Sequence, residues 1–331
     1  MSGLLLGPGL VAIGPETSNP LLGMAFKKQG SAAIEFMYQA AGTPWTAPVE
    51  ILGSATNTGP TLGYLNRTVY MLWEGESPDT LIWLRYLKTV EAGWSGQQPL
   101  GVHTAAGPSF GYHDGSAPTL SVAWRGATNQ SVNVGGLQSV DANNNPPTLA
   151  GAEILGIGSS ACPAIQTMPV WTDGALPLSF YELLAWKGES ADTQIWFSAR
   201  GFPNQQVPGW MRQVPGPGNT SSSPAMAWYV WPKGAGVLLA WKNAADETIR
   251  YSRLDSAEST WPPAWSAQQV ARDSGGAFLT SVAPSLASWQ GGVAMAWKGM
   301  EGDNRIWMSH YDPAADSFGP QSPVPGAFTG P

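Results

Sequence analysis

Residues able to do acid–base, nucleophilic or metal chemistry are sparse in this sequence and poorly spaced for it. Three histidines, His103, His113 and His310, lack metal-ligand spacing, and the single cysteine, Cys162, precedes a proline with no histidine close to it in sequence. No metal site is therefore expected. Glycoside hydrolysis needs two carboxyl groups across one bond, and Glu35, Glu74, Glu182 and Asp114 are the acids whose meeting in space would supply them. No glycine-rich phosphate loop runs from a strand into a helix, so no cofactor is expected either. Aromatic surface is what the chain has in excess: 17 Trp, 9 Tyr and 9 Phe in 331 residues, against a charged fraction of 12%. That composition favours stacking on a ligand and enclosing it in apolar walls.

The elements that position these rings come from an internal repeat. The stretch Ala296-Trp297-Lys298-Gly299, followed by Asp303 and Ile306-Trp307, recurs as Ala185-Trp186-Lys187-Gly188 with Asp192 and Ile195-Trp196. Trp73-Glu74-Gly75 with Asp79 and Ile82-Trp83, and Trp241-Lys242 with Asp246 and Ile249, are further copies, while Trp124-Arg125-Gly126 and Phe26-Lys27 are weaker ones. A proline closing a Thr/Ser/Gly-rich turn precedes each copy: Pro8, Pro60, Pro108, Pro163, Pro224 and Pro284, at spacings of 52, 48, 55, 61 and 60. Self-similarity on this scale marks a solenoid or a propeller.

Within a unit, bulky apolar residues alternate with small or polar ones between Gly, Pro, Asn and Asp. Thr61–Leu65, Thr68–Trp73, Leu81–Tyr86 and Trp94–Leu100 read in this way as four strands. Four antiparallel strands in roughly 50 residues describe a propeller blade. The expected fold class is all-β: a six-bladed β-propeller of four-stranded antiparallel blades, one domain over residues 1–331, with blades near 1–52, 53–104, 105–158, 159–219, 220–277 and 278–331. The chain then starts on the innermost strand of blade 1 and ends on the outermost strand of blade 6, so closure should rest on packing between blades. The third and fourth units are irregular, with a polar turn at Asn143-Asn144-Asn145-Pro146-Pro147 and an insertion around Trp171 to Pro177.

Two roles divide the conspicuous side chains. Trp73, Trp186, Trp241 and Trp297 end second strands and are read as wedges between blades, and Lys187 with Asp192, and Lys298 with Asp303, as salt bridges across a hairpin. The innermost strands, by contrast, differ from blade to blade and converge on the channel. Tyr64, Tyr112, His113, Gln166, Trp228 and Trp289 are the candidate ligand-binding residues, forming one asymmetric aromatic pocket. Packing that fills the channel is the competing reading of the same residues.

A net charge of -7 with dispersed Lys and Arg gives no footprint for nucleic acid, and no stretch is long and apolar enough to span a membrane. The opening Met1-Ser2-Gly3-Leu4-Leu5-Leu6 lacks the basic region of a signal peptide, so a cytoplasmic or leaderless protein is expected, and a mature secreted chain fits the same residues.

The repeat Ala-Trp-Lys-Gly…Asp…Ile-Trp…Ser, with Thr-x-x-x-Pro between units, resembles the propeller repeats of fungal and bacterial lectin-like proteins. In its plan of six blades the chain is similar to the fungal fucose-binding lectins. That resemblance implies carbohydrate binding by an Arg, a Glu and an aromatic residue in pockets between blades. Arg85, Arg125, Arg200 and Arg253 are not followed by an equivalent Glu in register. The partner expected is accordingly a glycan or a hydrophobic small molecule. The alternative to a lectin is a cofactor-free enzyme that cyclises a hydrophobic substrate, or joins it by cycloaddition, in the channel pocket by shape and hydrogen bonding.

Overall fold

The computed structural model describes residues 6–14, 19–113, 119–140, 145–170, 179–201, 209–231, 234–255 and 261–330, and among them there is no helix. Blade 1 consists of β1 (Gly9–Ile13), β2 (Leu21–Lys27), β3 (Ala33–Ala40) and β4 (Val49–Ala55). Blade 2 has β5 (Thr61–Leu65), β6 (Thr68–Glu74), β7 (Leu81–Leu87) and the first part of β8 (Gln98–His113). Blade 3 takes the rest of β8 and adds β9 (Thr119–Gly126), β10 (Ser131–Gln138) and β11 (Leu149–Gly158). One long strand therefore joins two blades into a seven-stranded sheet: β8 pairs with β7 up to His103 and with β9 from Thr104 onward.

Blade 4 is β12 (Ala164–Val170), β13 (Ser179–Lys187), β14 (Gln194–Arg200) and β15 (Val214–Asn219). Blade 5 is β16 (Ala225–Trp231), β17 (Gly234–Lys242), β18 (Ile249–Asp255) and β19 (Gln269–Val270), followed by a small hairpin of β20 (Arg272–Asp273) and β21 (Gly276–Ala277). Blade 6 is β22 (Ser285–Trp289), β23 (Gly292–Lys298) and β24 (Arg305–Asp312), edged by β25 (Ser317–Phe318) and β26 (Ser322–Phe328). The innermost strands touch in sequence, β1 to β5, β8, β12, β16 and β22, and β22 returns to β1. The ring is closed, and the protein is a six-bladed β-propeller.

Second strands are buried along nearly their whole length, as in β6 and β23, because a neighbouring blade covers each face. This explains why they read as continuous apolar runs. Six clusters of buried side chains result, one at each seam, and each contains the aromatic residue that ends a second strand: Phe26, Trp73, Trp124, Trp186, Trp241 or Trp297. Trp73, Trp186, Trp241 and Trp297 are no more than 1% exposed. Each buries a side chain worth about 2 to 3 kcal/mol in transfer free energy.

The start of each first strand lies beside the end of the second, as in Gly9 opposite Ala25, so the Trp-Lys hairpins share one end of the propeller with the six prolines. Hydroxyls lock this proline face. Thr220 Oγ1 donates to Ser222 O and Lys242 O, both at 2.9 Å, and accepts the Ser222 N–H at 3.1 Å. Ser159 does the same with Ala161 and Lys187, and Thr56, Thr104 and Thr280 occupy the equivalent junctions, all wholly buried. At the seam where the chain ends meet, Thr329 bridges Lys28, and the Gln29 N–H donates to Phe328 O at 3.2 Å. Backbone hydrogen bonding thus reinforces the packing that closes the ring.

The Lys–Asp salt bridges expected across the hairpins are replaced by another arrangement. Asp79, Asp192 and Asp303 accept the indole N–H of Trp83, Trp196 and Trp307 at 2.6, 2.8 and 2.9 Å, and each also accepts a backbone N–H two residues on. Lys187 Nζ instead donates to Ser160 Oγ at 2.6 Å and to the backbone oxygens of Ser190 and Asp192. A nearly buried ammonium is best met by several fixed oxygens, while the carboxylate closes the turn.

Two outcomes follow from this packing. Trp186→Ala should lower stability by about 3 to 5 kcal/mol, since the cavity is bounded by two blades that cannot both collapse into it; urea unfolding measures the loss, and a shift below 1 kcal/mol would show the wedge to be dispensable. Glu74 stands in blade 2 where four blades carry lysine and blade 3 carries arginine, and burial pushes its carboxyl from 4.5 to about 7 despite the Gly107 N–H and Arg125. Because this folded-state value is raised, its contribution is complete below pH 4.5 and is lost as pH rises through about 7. Wild type should therefore lose stability relative to Glu74→Gln across that window, and a pH-independent difference would mean that the carboxyl is solvated.

Candidate functional site

Side chains of the first strands meet the channel in layers set by the two-residue period of a strand. Pro8, Pro60, Pro108, Pro163, Pro224 and Pro284 ring one end around a space of about 100 Å³. Two residues on, Leu10, Leu62, Phe110, Ile165, Met226 and Leu286 form an apolar layer. Two further on, among the described side chains, stand Ala12, Tyr64, Thr167, Trp228 and Ser288. Beyond the apolar layer the channel widens into a mouth cavity of about 560 Å³, whose lining includes Tyr64, Gln166 and Trp228.

Three of the six candidates, Tyr64, Gln166 and Trp228, line this one cavity on the mouth side of the channel. The backbone of Tyr112 and His113 belongs to β8, but their side chains lie outside the described residues. Trp289 is not at the axis. It is 7% exposed and does not line the cavity, because it packs with Leu10, Leu22 and Ala294 in the cluster between blades 6 and 1. Phe110, which the sequence reading omitted, lines the cavity. The amide of Gln166 donates to Thr167 O at 3.0 Å, and Ser288 Oγ donates to Trp228 O at 2.6 Å across the seam between blades 5 and 6.

A second set of aromatic residues emerges at the opposite edge of the blades. In five blades the N–H of Thr46, Ser95, Met211, Ser266 or Gly319 donates back to the third strand, at Tyr38, Tyr86, Ala199, Arg253 or His310, at 2.7 to 2.9 Å. The residue before each of these is Trp45, Trp94, Trp210, Trp265 or Phe318, and each packs against the core of the seam with the preceding blade. The outermost strand of blade 2 begins later than the sequence suggests, at Gln98 instead of Trp94, and that of blade 1 begins at Val49, because Trp94 and Trp45 belong to the anchored turn leading into the strand. Their recurrence one residue before a Ser or Thr at Thr46, Ser95 and Ser266 was the signal available in the sequence.

Between blades 1 and 2 this edge opens into a cavity of about 280 Å³ lined by Phe36, Tyr38, Trp94, Thr46 and Glu50. Phe36 meets Trp94 edge-on, with ring centres 5.2 Å apart. Between blades 3 and 4, the Arg200 guanidinium lies 4.9 Å from the Trp210 ring centre, with Glu182 on its Nε and Glu153 at 3.6 Å. Glu182 is 5% exposed and also accepts the hydroxyl of Ser121 from blade 3. Of the four arginines considered above, Arg200 is the one that meets both glutamate and an aromatic face among the described residues. Arg85 instead donates to Ser95 O and Leu52 O at 3.0 and 2.7 Å, in the place where blades 4, 5 and 6 use Ser198, Ser252 and Ser309.

The remaining chemical candidates have their own partners. His103 shares a hydrogen bond with Thr80 at 2.9 Å, and His310 contacts Trp289 O at 3.0 Å. Burial pushes the Cys162 thiol far up, so it stays protonated. Glu35 pairs with Lys28 at 3.5 Å on blade 1, distant in the fold from the Glu182 pair. Asp114 lies outside the described residues.

Comparison with known proteins supports the architecture. No family model and no curated sequence matches the chain. Among solved structures, the fold is shared with the six-bladed β-propeller lectin of Aleuria aurantia, at 12% identity and a TM-score of 0.63, covering 99% of this chain and 98% of that one. AofleA from Arthrobotrys oligospora, solved as a triple arginine-to-alanine mutant, is 13% identical with a TM-score of 0.63, covering 100% and 89%. An α-L-arabinofuranosidase from Fusarium graminearum also shares the fold, at 10% identity and a TM-score of 0.55, covering 92% and 94%.

The Glu182–Arg200 pair occupies a cross-strand position held elsewhere by Val69–Leu87 and Val237–Leu254. Arg200→Leu should cost about 3 to 5 kcal/mol by leaving a buried carboxylate without its cation, whereas Glu182→Val combined with Arg200→Leu should match or exceed wild-type stability. Thermal melts of the single and double variants test this, and additive losses would show that the two residues are not coupled.

Proposed function

We propose that the protein is a carbohydrate-binding, lectin-like propeller that holds neutral saccharide at its blade seams, with the groove between blades 1 and 2 as the principal site. The observation that carries this reading is the aromatic residue repeated at one seam position in five blades, together with the cavity that opens beside Trp94. Sugar rings present a C–H face that packs on an aromatic face, and Tyr38 and Trp94 supply two such surfaces. Thr46 and Glu50 on the same wall can bond hydroxyls, and Glu50 is held by Lys28 Nζ at 3.0 Å. The net charge of -7 disfavours acidic glycans. The shared fold of the Aleuria aurantia lectin, whose described ligand is fucose, supports the same class.

Binding to arrayed neutral glycans should persist at high salt, because screening weakens exposed charge pairs and leaves stacking largely intact. Trp94→Ala and Tyr38→Ala should each reduce it by about tenfold or more, roughly the loss of one stacked aromatic contact of 1.4 kcal/mol, with near-ultraviolet circular dichroism confirming the fold. Failure of the wild-type protein to retain any glycan at high concentration would overturn the proposal.

A further inference from the structure

The channel mouth is a separate cavity from the seams, and its lining points to a different ligand. Around the ring from blade 5 to blade 2, the layer nearest the mouth reads Trp228, Ser288, Ala12, Tyr64. Two small side chains stand between two large aromatic ones. The gap they leave spans two blades and is flanked by Trp228, which packs against the seam core of blades 4 and 5, and by Tyr64, which packs against that of blades 1 and 2. Its floor is the apolar layer of Leu10, Leu62, Met226 and Leu286, where water finds few partners, so a flat apolar body entering the slot is favoured over solvent.

Two polar features limit what that body carries. Gln166 is 93% buried by its 7% exposure, and while its amide nitrogen donates to Thr167 O, its Oε1 accepts no bond among the described residues. Arg67 is the one charged residue among the described lining, and it stands at the rim in the turn between β5 and β6. Asn66 and Arg67 both have left-handed backbone, with φ of 50° and 61°; the corresponding turn of blade 6 uses Gln290 and Gly291, at 50° and 79°. Glycine meets that requirement freely and arginine does not, so blade 2 holds a guanidinium at the mouth against the preference of its own backbone.

We propose that the channel mouth binds an aromatic carboxylate of one or two fused rings, with the ring between Trp228 and Tyr64 and the carboxylate on Arg67. A guanidinium recognises a carboxylate through paired hydrogen bonds, which fixes the ligand's direction as well as its charge. Ring substituents that donate a hydrogen bond reach Gln166. This site is independent of saccharide binding at the seams, and neither requires the other.

The test uses 2-naphthoate and its uncharged analogue 2-naphthamide, titrated calorimetrically into the full-length protein. Wild type should bind 2-naphthoate saturably at one site per chain and 2-naphthamide about tenfold more weakly. Arg67→Gly should remove that difference while leaving the fold at least as stable, since the turn then carries its preferred residue. Ala12→Phe, which fills the slot from the channel side, should abolish binding of both, and Trp94→Ala at the seam should change neither. Absence of saturable 2-naphthoate binding to wild type would overturn the proposal, as would retention of binding by both Ala12→Phe and Trp228→Ala. Equal affinity of wild type for the two probes would overturn the assignment of the carboxylate to Arg67.

Discussion

A four-stranded blade has two apolar faces and can cover neither, so each blade of this protein is stable only as part of a closed ring. The side chain that transmits this dependence is the aromatic residue at the end of each second strand. Placed between two sheets, it converts a repeat of ordinary strand patterning into six equivalent buried seams. Blade 1 shows the limit of the device: Phe26 does in a smaller volume what tryptophan does elsewhere, and remains fully buried because Met24 and Val324 pack into the same cluster. The ring, not the blade, is the unit that folds, as expected when repeats cannot bury their surfaces alone.

The two ends of the propeller are unequal in what they leave available. At the proline face, threonine and serine hydroxyls, lysine ammonium groups and aspartate-capped turns satisfy one another in nearly every repeat, and the channel narrows to about 100 Å³. Groups already bonded in this way would each have to exchange a protein partner for a ligand, with little net gain. At the other end, four of the five seam aromatics, Trp45, Trp94, Trp210 and Trp265, are half-buried, and the channel widens to about 560 Å³. Ligand contact is therefore cheap at the mouth and costly at the proline face, although the conspicuous sequence repeats lie at the latter.

This division explains what could be read from the chain without the structure. Conserved spacing within the repeat follows from the seams and turns, so Trp73, Trp186, Trp241 and Trp297, the proline junctions and the first three strands of a blade were legible from the pattern alone. The outer strand was displaced because its preceding tryptophan belongs to an anchored turn that no strand periodicity describes. Trp289 was not legible either, since a first-strand side chain can reach the channel or the seam, and the cluster of Leu10, Leu22 and Ala294 claims this ring. The Arg200–Trp210 contact was not legible at all, since it joins a strand end to a residue ten positions away, and Glu182 reaches it only through cross-strand pairing.

Departure from the repeat carries more functional information here than the repeat itself. At the position occupied by Val69 and Val237, blade 4 places a glutamate; at the glycine of a left-handed turn, blade 2 places an arginine; at the channel layer, no two adjacent blades in the sequence Trp228, Ser288, Ala12, Tyr64 make the same choice of both size and polarity. None of these choices improves the closure of the ring, and the first two oppose local physical preference. A buried carboxylate needs a partner from another strand, and a left-handed arginine gives up the freedom glycine would have had. Sites at which a stable repeat tolerates such exceptions are those where packing has ceased to dictate the residue, and in this propeller they converge on the mouth face and the seams that open onto it.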